Sequence, residues 1–411
     1  MEEIYRCCAG VDVHKQSIEV CVRRIDDNGR LQQQTRRWGT MTRELLALAD
    51  WMAAQGVTHV AMESTGVYWK PIYNILENRF TVLLVNARHL KQVPGRKSDI
   101  RDCHWIAQLL QHGLLKGSFI PALPQRELRD LTRLRVQLVE EKTRTVNRIH
   151  KELEDANIKL ASVATDILGV SGRAMLEALI EGRKNPAQLA DLAQRQLRGK
   201  IPELEKALEG HLRDHHRFML RLLWKHLTQQ EELIAQLETK IEEQTRPFAA
   251  EIERLDAVPG VDRCAAAVVL AEVGADMKPF PSHQHLASWA GMCPGNEESA
   301  GKRRKQRITP GNRWLKRTLV QGAWAASRGK NTYLASQYRR LVGRRGKKRA
   351  LVAVGHSMLV IFYHMLKNGS TYADLGGDFF DRLEPERLTR YYVKRLETLG
   401  HKVTLESSVP A

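Results

Sequence analysis

Within its first 90 residues the chain places three strand patterns in a row and then alternates strand and helix patterns, an order that few folds accept. Ala9 to His14 reads as a short strand. Ser17 to Arg24 (SIEVCVRR) alternates with period two, and Leu31 to Trp38 is positioned to pair with it as an antiparallel meander. Thr42 to Gln55 is an amphipathic helix with a threonine as its N-cap candidate. Val57 to Met62 is a strand running into Glu63. Tyr68 to Glu77 reads as a helix with Pro71 in its first turn, and Phe80 to Val85 as a buried strand. A further helix is predicted from about Ser98 to Gln111.

That order is the topology of an α/β fold of the RNase H/RuvC-like kind. Residues 126 to 246 carry no strand pattern and read as helical. Positions 220, 223, 227, 230, 234, 237, 241 and 244 alternate spacings of three and four, and six of the eight are Leu or Ile, the pattern of a coiled-coil seam. Arg126 to Leu160 is another long, highly charged helix. The pair predicts an antiparallel hairpin arm or a dimer-forming coil. Leu255 to Gly274 (LDAVPGVDRCAAAVVLAEVG) reads as helix, Pro-Gly turn, helix. It resembles a helix-hairpin-helix, whose turn offers backbone N–H groups to a phosphate, but Asp262 stands where that motif commonly has a second glycine. The boundaries expected are 1–125 for the α/β unit, 126–250 for the helical coiled-coil region, 251–375 for a mostly helical C-terminal domain, and 376–411 for a helical tail.

Net charge is confined to one of these units. The chain has 65 Lys and Arg against 47 Asp and Glu, a net charge of +18, yet Ser299 to Ala373 contains no acid and 18 Lys and Arg. The rest of the chain is neutral. Trp314, Leu315, Leu319, Trp324, Tyr333, Leu334 and Tyr338 give this stretch the apolar density of a folded unit, so it predicts a single-sign basic surface for a polyanion, nucleic acid first. Candidate contacts are Arg96, Lys97, Lys302, Arg303, Arg304, Lys305, Arg307, Arg313, Lys316 and Arg317. The longest apolar run, Leu351 to Leu366, is interrupted by Gly355, His356, Ser357 and His364, and the N-terminus lacks a basic segment leading into an apolar one. A cytoplasmic protein without a membrane span is expected. The six cysteines form no C-x-x-C pair, which indicates neither a zinc knuckle nor a disulfide framework.

Four acids fall where an RNase H-like sheet would gather them. Asp12 (AGVDVHK) ends the first strand, Glu63 (AMESTG) ends the fourth, and strands one and four of such a sheet are adjacent. Asp99 and Asp102 (GRKSDIRD) share one face of a helix start. Each acid alone also has an ordinary role in a cap, a turn or an ion pair. Four convergent carboxylates cannot all stay ionised without cations, and hard oxygen donors select Mg²⁺ or Mn²⁺. Two such ions roughly 4 Å apart activate an attacking oxygen and stabilise a leaving one at a phosphodiester. His14 shares a strand face with Asp12, and Tyr68 and Trp69, close after Glu63, are placed either to stack on bases or to fill a core. Ser299 lies in CPGNEESAGKRRKQRITPGNRWLKR. By composition alone, a serine in a Gly-rich basic loop is first a phosphate hydrogen-bond donor, and it becomes a nucleophile only with an activating base or metal.

These segments resemble a known family. GVDVHK (from Gly10), MESTGVYWKPIYN (from Met62), NARHLKQVPGRKSDIRDCHWIAQL (from Asn86), VPGVDRCAAAVVLAEVG (from Val258) and LASWAGMCPGNEESAGKRRKQRITPGNRWLKRTLVQGAW (from Leu286) are similar to the DEDD-type insertion-sequence transposases of the IS110 family, within it the IS1111 subgroup. The similarity covers about residues 7 to 125 and 253 to 345. It implies a RuvC-like domain with Asp12, Glu63, Asp99 and Asp102 as its metal tetrad, and a transposase domain with Ser299 as catalytic serine. Ser299-Ala300-Gly301-Lys302 matches the family's segment with Ala300 in place of a frequent glycine. The resemblance further implies a covalent phosphoserine intermediate, guidance by a non-coding bridge RNA that pairs with donor and target DNA, and homo-oligomers, dimeric or tetrameric, with sites shared between subunits. Two other readings use fewer of these features. A RuvC-like, metal-dependent, structure-selective nuclease needs the tetrad but not Ser299. A non-catalytic nucleic-acid-binding protein needs only the basic segment and the coil.

Overall fold

The computed structural model describes residues 4–64, 66–86, 90, 102–293, 298–299, 302–303 and 311–406, with 298–299 and 302–303 described as backbone only. The chain divides into two compact units, Met1–Pro121 and Ala122–Ala411.

In the first unit the three period-two runs become β1 (Cys7–Val13), β2 (Ser17–Ile25) and β3 (Leu31–Gly39). Then come α1 (Thr42–Ala54), β4 (His59–Glu63), α2 (Trp69–Leu76), β5 (Thr81–Val85) and α3 (Asp102–Gln111). The five strands form one mixed sheet in the order β3-β2-β1-β4-β5, with β1–β2 and β2–β3 antiparallel and β1–β4 and β4–β5 parallel. This sheet is consistent with an RNase H-like domain. Period-two alternation sends Ala9, Val11, Val13, Val60 and Met62 to one face, where they pack with Leu48, Met52 and Ile72 of α1 and α2. Cys8 and Ala61 point to the other face, against Trp105, Ile106 and Leu109 of α3. The N-cap of α1 is Met41 rather than a threonine, and its free N–H is taken by the Glu44 carboxylate. Residues 98–101, expected to open the last helix, lie outside the described residues.

The second unit is almost wholly helical. Its longest elements are α4 (Leu123–Asp155) and α6 (Asp214–Thr245), with α5 (Val170–Glu181) between them in sequence. α4 and α6 pack along their length as an antiparallel pair: Arg135 meets Glu238, Lys142 meets Glu231, and Ile149 and Leu153 share a core with Leu220 and Leu227. The 220–244 seam faces this partner in its own chain. Leu220, Leu227, Gln230, Ile234 and Ile241 are buried, and positions 223, 237 and 244 half-buried. Of the two arrangements expected, the antiparallel hairpin arm is the one these helices form, with the seam's apolar surface covered within one molecule.

α7 (Ala249–Asp256) and α8 (Arg263–Val273) flank the Pro-Gly turn. Asp262 is the N-cap of α8, its carboxylate accepting from the Ala265 N–H at 2.7 Å. Gly260 has φ +84, and a Cβ there would meet Gly322 O at 2.2 Å. The turn is therefore packed on a neighbouring helix and carries its own anion. This favours a structural turn over the phosphate-binding one that the motif suggested.

Further helices include α9 (His283–Ala290), α10 (Arg313–Ala326), α11 (Tyr333–Arg345), α12 (Lys347–Asn368) and an amphipathic α13 (Pro385–Thr398), which buries no residue. α12 alone among the described helices is long and apolar enough to cross a membrane. Ala350, Val354, Met358, Leu359, Phe362, Tyr363 and Met365 of α12 are instead buried within the unit, where it packs on α9, α10 and α11.

Candidate functional site

The parallel register of β1 and β4 pairs Cys8 with His59, Gly10 with Ala61 and Val11 with Met62. One step further stand Asp12 and Glu63. Both continue the α3-facing set of their strands, so the two carboxylates leave the same face of the sheet at the same end. α3 crosses that face at closest approach over Gly10, where a Cβ would lie 2.2 Å from Cys103 O and 2.3 Å from Ala107 N. Only a residue without a side chain lets the helix sit this low. Cys8 Sγ donates to Ala107 O at 3.6 Å, so the helix runs antiparallel to β1 and brings its first residue, Asp102, to the Asp12 end.

Burial raises the Asp12 carboxyl above its ordinary value, and the negative charges of Asp102 and Glu19 push the same way. His14 opposes them, with its Nε2 3.2 Å from Asp12 Oδ2. Asp12 is thus an anion in a place that disfavours one. The donors near it are hard carboxylate oxygens, and this set suits a divalent cation. Asp99, Arg96 and Lys97 lie outside the described residues, and among the described residues no three acid, imidazole or thiol groups form a closed metal cluster.

Glu19 was not among the acids picked out by sequence. It is the cross-strand partner of Asp12 and so shares its face. The signal was present in the alternation of Ile18, Glu19 and Val20: two buried neighbours with an acid turned the other way. Trp69 does not stand beside the carboxylates. It packs edge-on against Tyr73, ring centroids 5.7 Å apart, in the core on the α1–α2 side of the sheet. Tyr68 is exposed.

In the second unit, Glu298–Ser299 and Lys302–Arg303 form a short antiparallel pairing in which Ser299 opposes Lys302. Arg304, Lys305 and Arg307 lie outside the described residues. Arg313 stacks over Trp314 with its guanidinium carbon 4.5 Å from the ring centre, and Lys316 is half-buried, which lowers its ammonium pKa. Arg317 is ion-paired to Glu140 of α4, so it supports the helix packing and is not a free phosphate contact.

The polar centre of this unit was also missed by sequence reasoning. Glu272 of α8 is fully buried and accepts both forks of Arg133, at 2.7 and 2.8 Å. It also accepts from Asn312 Nδ2 at 2.7 Å, while Arg129 Nε lies 3.4 Å away. Asn312 caps α10, accepting from the Trp314 and Leu315 N–H groups. The carboxylate thereby ties α4, α8 and the start of α10 into one frame.

Comparisons with known proteins match a stretch of sequence around each of these two centres. Residues 9–158 match a family model described as a transposase, the DEDD transposase model of IS110, and residues 252–339 match one described as the transposase IS116/IS110/IS902 family. The chain is 24% identical over 368 residues to the transposase for insertion sequence element IS1111A of Coxiella burnetii, covering 88% of this chain and 90% of that protein. It is 32% identical over 150 residues to a 43.6 kDa protein of insertion element IS110 of Streptomyces coelicolor, covering 33% of this chain and 36% of that one. The two models take in more than half of the chain, one across the carboxylate sheet and the other across the helices around Glu272 and Ser299, and the chain belongs to the IS110 family of insertion-sequence transposases.

Proposed function

We propose that this transposase cuts and rejoins DNA by attack of the Ser299 hydroxyl on a phosphodiester, with a covalent phosphoserine intermediate. Asp12, Glu63, Asp99 and Asp102 would hold a divalent cation, Mg²⁺ or Mn²⁺, which lowers the charge on the phosphate and activates the attacking oxygen. The observation that carries this reading is the placement of Asp12 and Glu63 at adjoining strand ends, with Asp102 brought to the same end by α3. His14, its Nε2 3.2 Å from Asp12 Oδ2, works against the burial that raises that carboxyl. Lys302, opposite Ser299 in the short strand pairing, and its neighbour Arg303 supply positive charge for the non-bridging phosphate oxygens. The family resemblance adds a bridge RNA as guide, donor and target DNA as substrates, a homo-oligomer as the acting form, and work in the cytoplasm.

The test is a denaturing gel of protein incubated with labelled DNA carrying the element junction, its RNA and Mg²⁺. Wild type should yield a protein–DNA adduct, and Ser299→Ala should bind both nucleic acids yet yield none. Cleavage by wild type without any adduct would replace this reading with a metal-dependent nuclease.

A further inference from the structure

The α11–α12 hairpin carries two features that the strand-cleavage chemistry does not use. The first is its elbow. Arg339, Arg340, Arg344, Arg345, Lys347, Lys348 and Arg349 put seven exposed cations within eleven residues, and none is paired with a carboxylate among the described residues. Elsewhere in this unit cations are spent on acids, as with Arg133, Arg135 and Arg317. An unneutralised cluster of this size carries self-repulsion that a bound polyanion relieves.

The second feature is a cavity of about 530 Å³ further along the same hairpin, lined among others by Tyr333, His356, Ser357, Ile361, His364 and Tyr372. It is walled by rings and aliphatic carbons, with a few fixed polar groups. Gln337 Nε2 donates to Ser357 Oγ at 2.8 Å, and Ser357 Oγ donates to Ala353 O at 3.3 Å. The acid at its rim, Asp374, is occupied by the Tyr372 hydroxyl and the N–H groups of Tyr333 and Gly376. A flat, uncharged, hydrogen-bonding heterocycle matches this lining, and the space admits one with its sugar.

The two features are in line. On α12, Arg349, Ala353, His356 and Ser357, Val360 and His364 follow spacings of three and four and so share one stripe. Arg349 and His356 are about 10 Å apart along the axis. On α11, Tyr333, Gln337, Arg340 and Arg344 do the same. Cations that track a backbone, leading to rings that hold a base, are the combination that binds unpaired strands. We infer that the α11–α12 hairpin is a single-strand site, taking phosphates on the Arg339–Arg349 elbow and one unstacked nucleobase in the Tyr333–His364 cavity.

The inference goes beyond strand cleavage, and binding measured in EDTA separates its failure from that of the cleavage reading. Fluorescence anisotropy of the full-length protein with labelled single-stranded DNA, single-stranded RNA and duplex DNA tests it. Ala373→Trp, on the exposed rim, fills the cavity. It should weaken at least one of the two single strands roughly tenfold and leave duplex binding unchanged, and the strand affected identifies the ligand. The triple change Lys347→Gln, Lys348→Gln, Arg349→Gln should lower the log–log salt slope for that strand by about 2. Circular dichroism melts confirm that the variants fold. Equal losses on single strands and duplex from Ala373→Trp, or no loss on any, would overturn the base pocket, and an unchanged salt slope would overturn the elbow.

Discussion

Asp12 and Glu63 stand one residue beyond the last register pair of two parallel strands, on the face of the sheet that α3 covers. Their proximity is fixed by strand pairing, not by a flexible loop, so the site exists before any ligand arrives. The same arrangement is unfavourable in the free protein. Burial first, then Asp102 and Glu19, raise the Asp12 carboxyl. A carboxyl that holds its proton more tightly folded than unfolded stabilises the fold at low pH, and that contribution is lost as pH rises through the raised value. At pH 7 without a cation, ionised Asp12 therefore destabilises the first unit. Asp12→Asn should raise the melting temperature in EDTA, by roughly 2 °C, and Mg²⁺ should raise the melting temperature of wild type but not of the variant. Differential scanning calorimetry with and without Mg²⁺ reads both. A lower melting temperature for the variant in EDTA would show that the carboxylate is a structural group.

Gly10 sets the height of α3 over the sheet. A methyl there would fall within 2.3 Å of Cys103 O and Ala107 N, both backbone atoms that no rotamer change can move. Gly10→Ala should destabilise the first unit by about 2–3 kcal/mol, the upper range for overpacking. Because the helix that must shift also carries Asp102, strand cleavage should fall further than stability accounts for. Urea unfolding and cleavage rates on the same preparation separate the two effects.

Much of this was legible in the sequence, for physical reasons. Strand alternation has a period that a half-buried sheet enforces at every residue, so β1 to β5 and the faces of Asp12 and Glu63 could be read directly. The 220–244 seam was equally plain, but its partner was not. An apolar stripe states that something must cover it and is silent about whether that is Arg126–Leu160 of the same chain or a second copy. Glu272 was hidden for a related reason. It sits in a helix of Ala, Val and Leu, and nothing local reveals that Arg129, Arg133 and Asn312 arrive from 143, 139 and 40 positions away. Sequence distance left Trp69 between stacking on bases and filling a core, and it fills the core because α2 lies on the opposite face of the sheet from the acids.

The seam's burial within one chain changes what its disruption should do. Leu227 is fully buried and Ile234 is 8% exposed, both against the α4 side of the hairpin. Leu227→Asp with Ile234→Asp would place two unpaired charges there, at a cost of several kcal/mol. The expected result is loss of helical circular dichroism from the second unit at any protein concentration. Light scattering that instead shows a well-folded, smaller assembly would assign the seam to subunit contact.

The buried ion-pair centre offers the sharpest test of the second unit. Glu272 is fully buried, and the Arg129 and Arg133 side chains are only 12% and 31% exposed. Burial lowers the Arg129 guanidinium to about 10, partly restored by Glu272. Removing one member of such a centre leaves charge without compensation, and the loss is about 3–5 kcal/mol. Glu272→Gln keeps the shape and can still accept from Asn312, so its loss should sit at the low end, near 3 kcal/mol. Replacing both members, Glu272→Met with Arg133→Met, should recover part of that loss, because no unpaired charge then remains on Arg133. Arg129 keeps its backbone bonds to Ala271 O and Glu272 O in either case. Urea denaturation of the single and double variants measures the difference. The single variant should also loosen the cap of α10, since Asn312 loses its charged acceptor, and hydrogen exchange at Trp314 and Leu315 should rise. If Glu272→Gln unfolds at the wild-type urea concentration with those amides still protected, the carboxylate does not hold α4, α8 and α10 together.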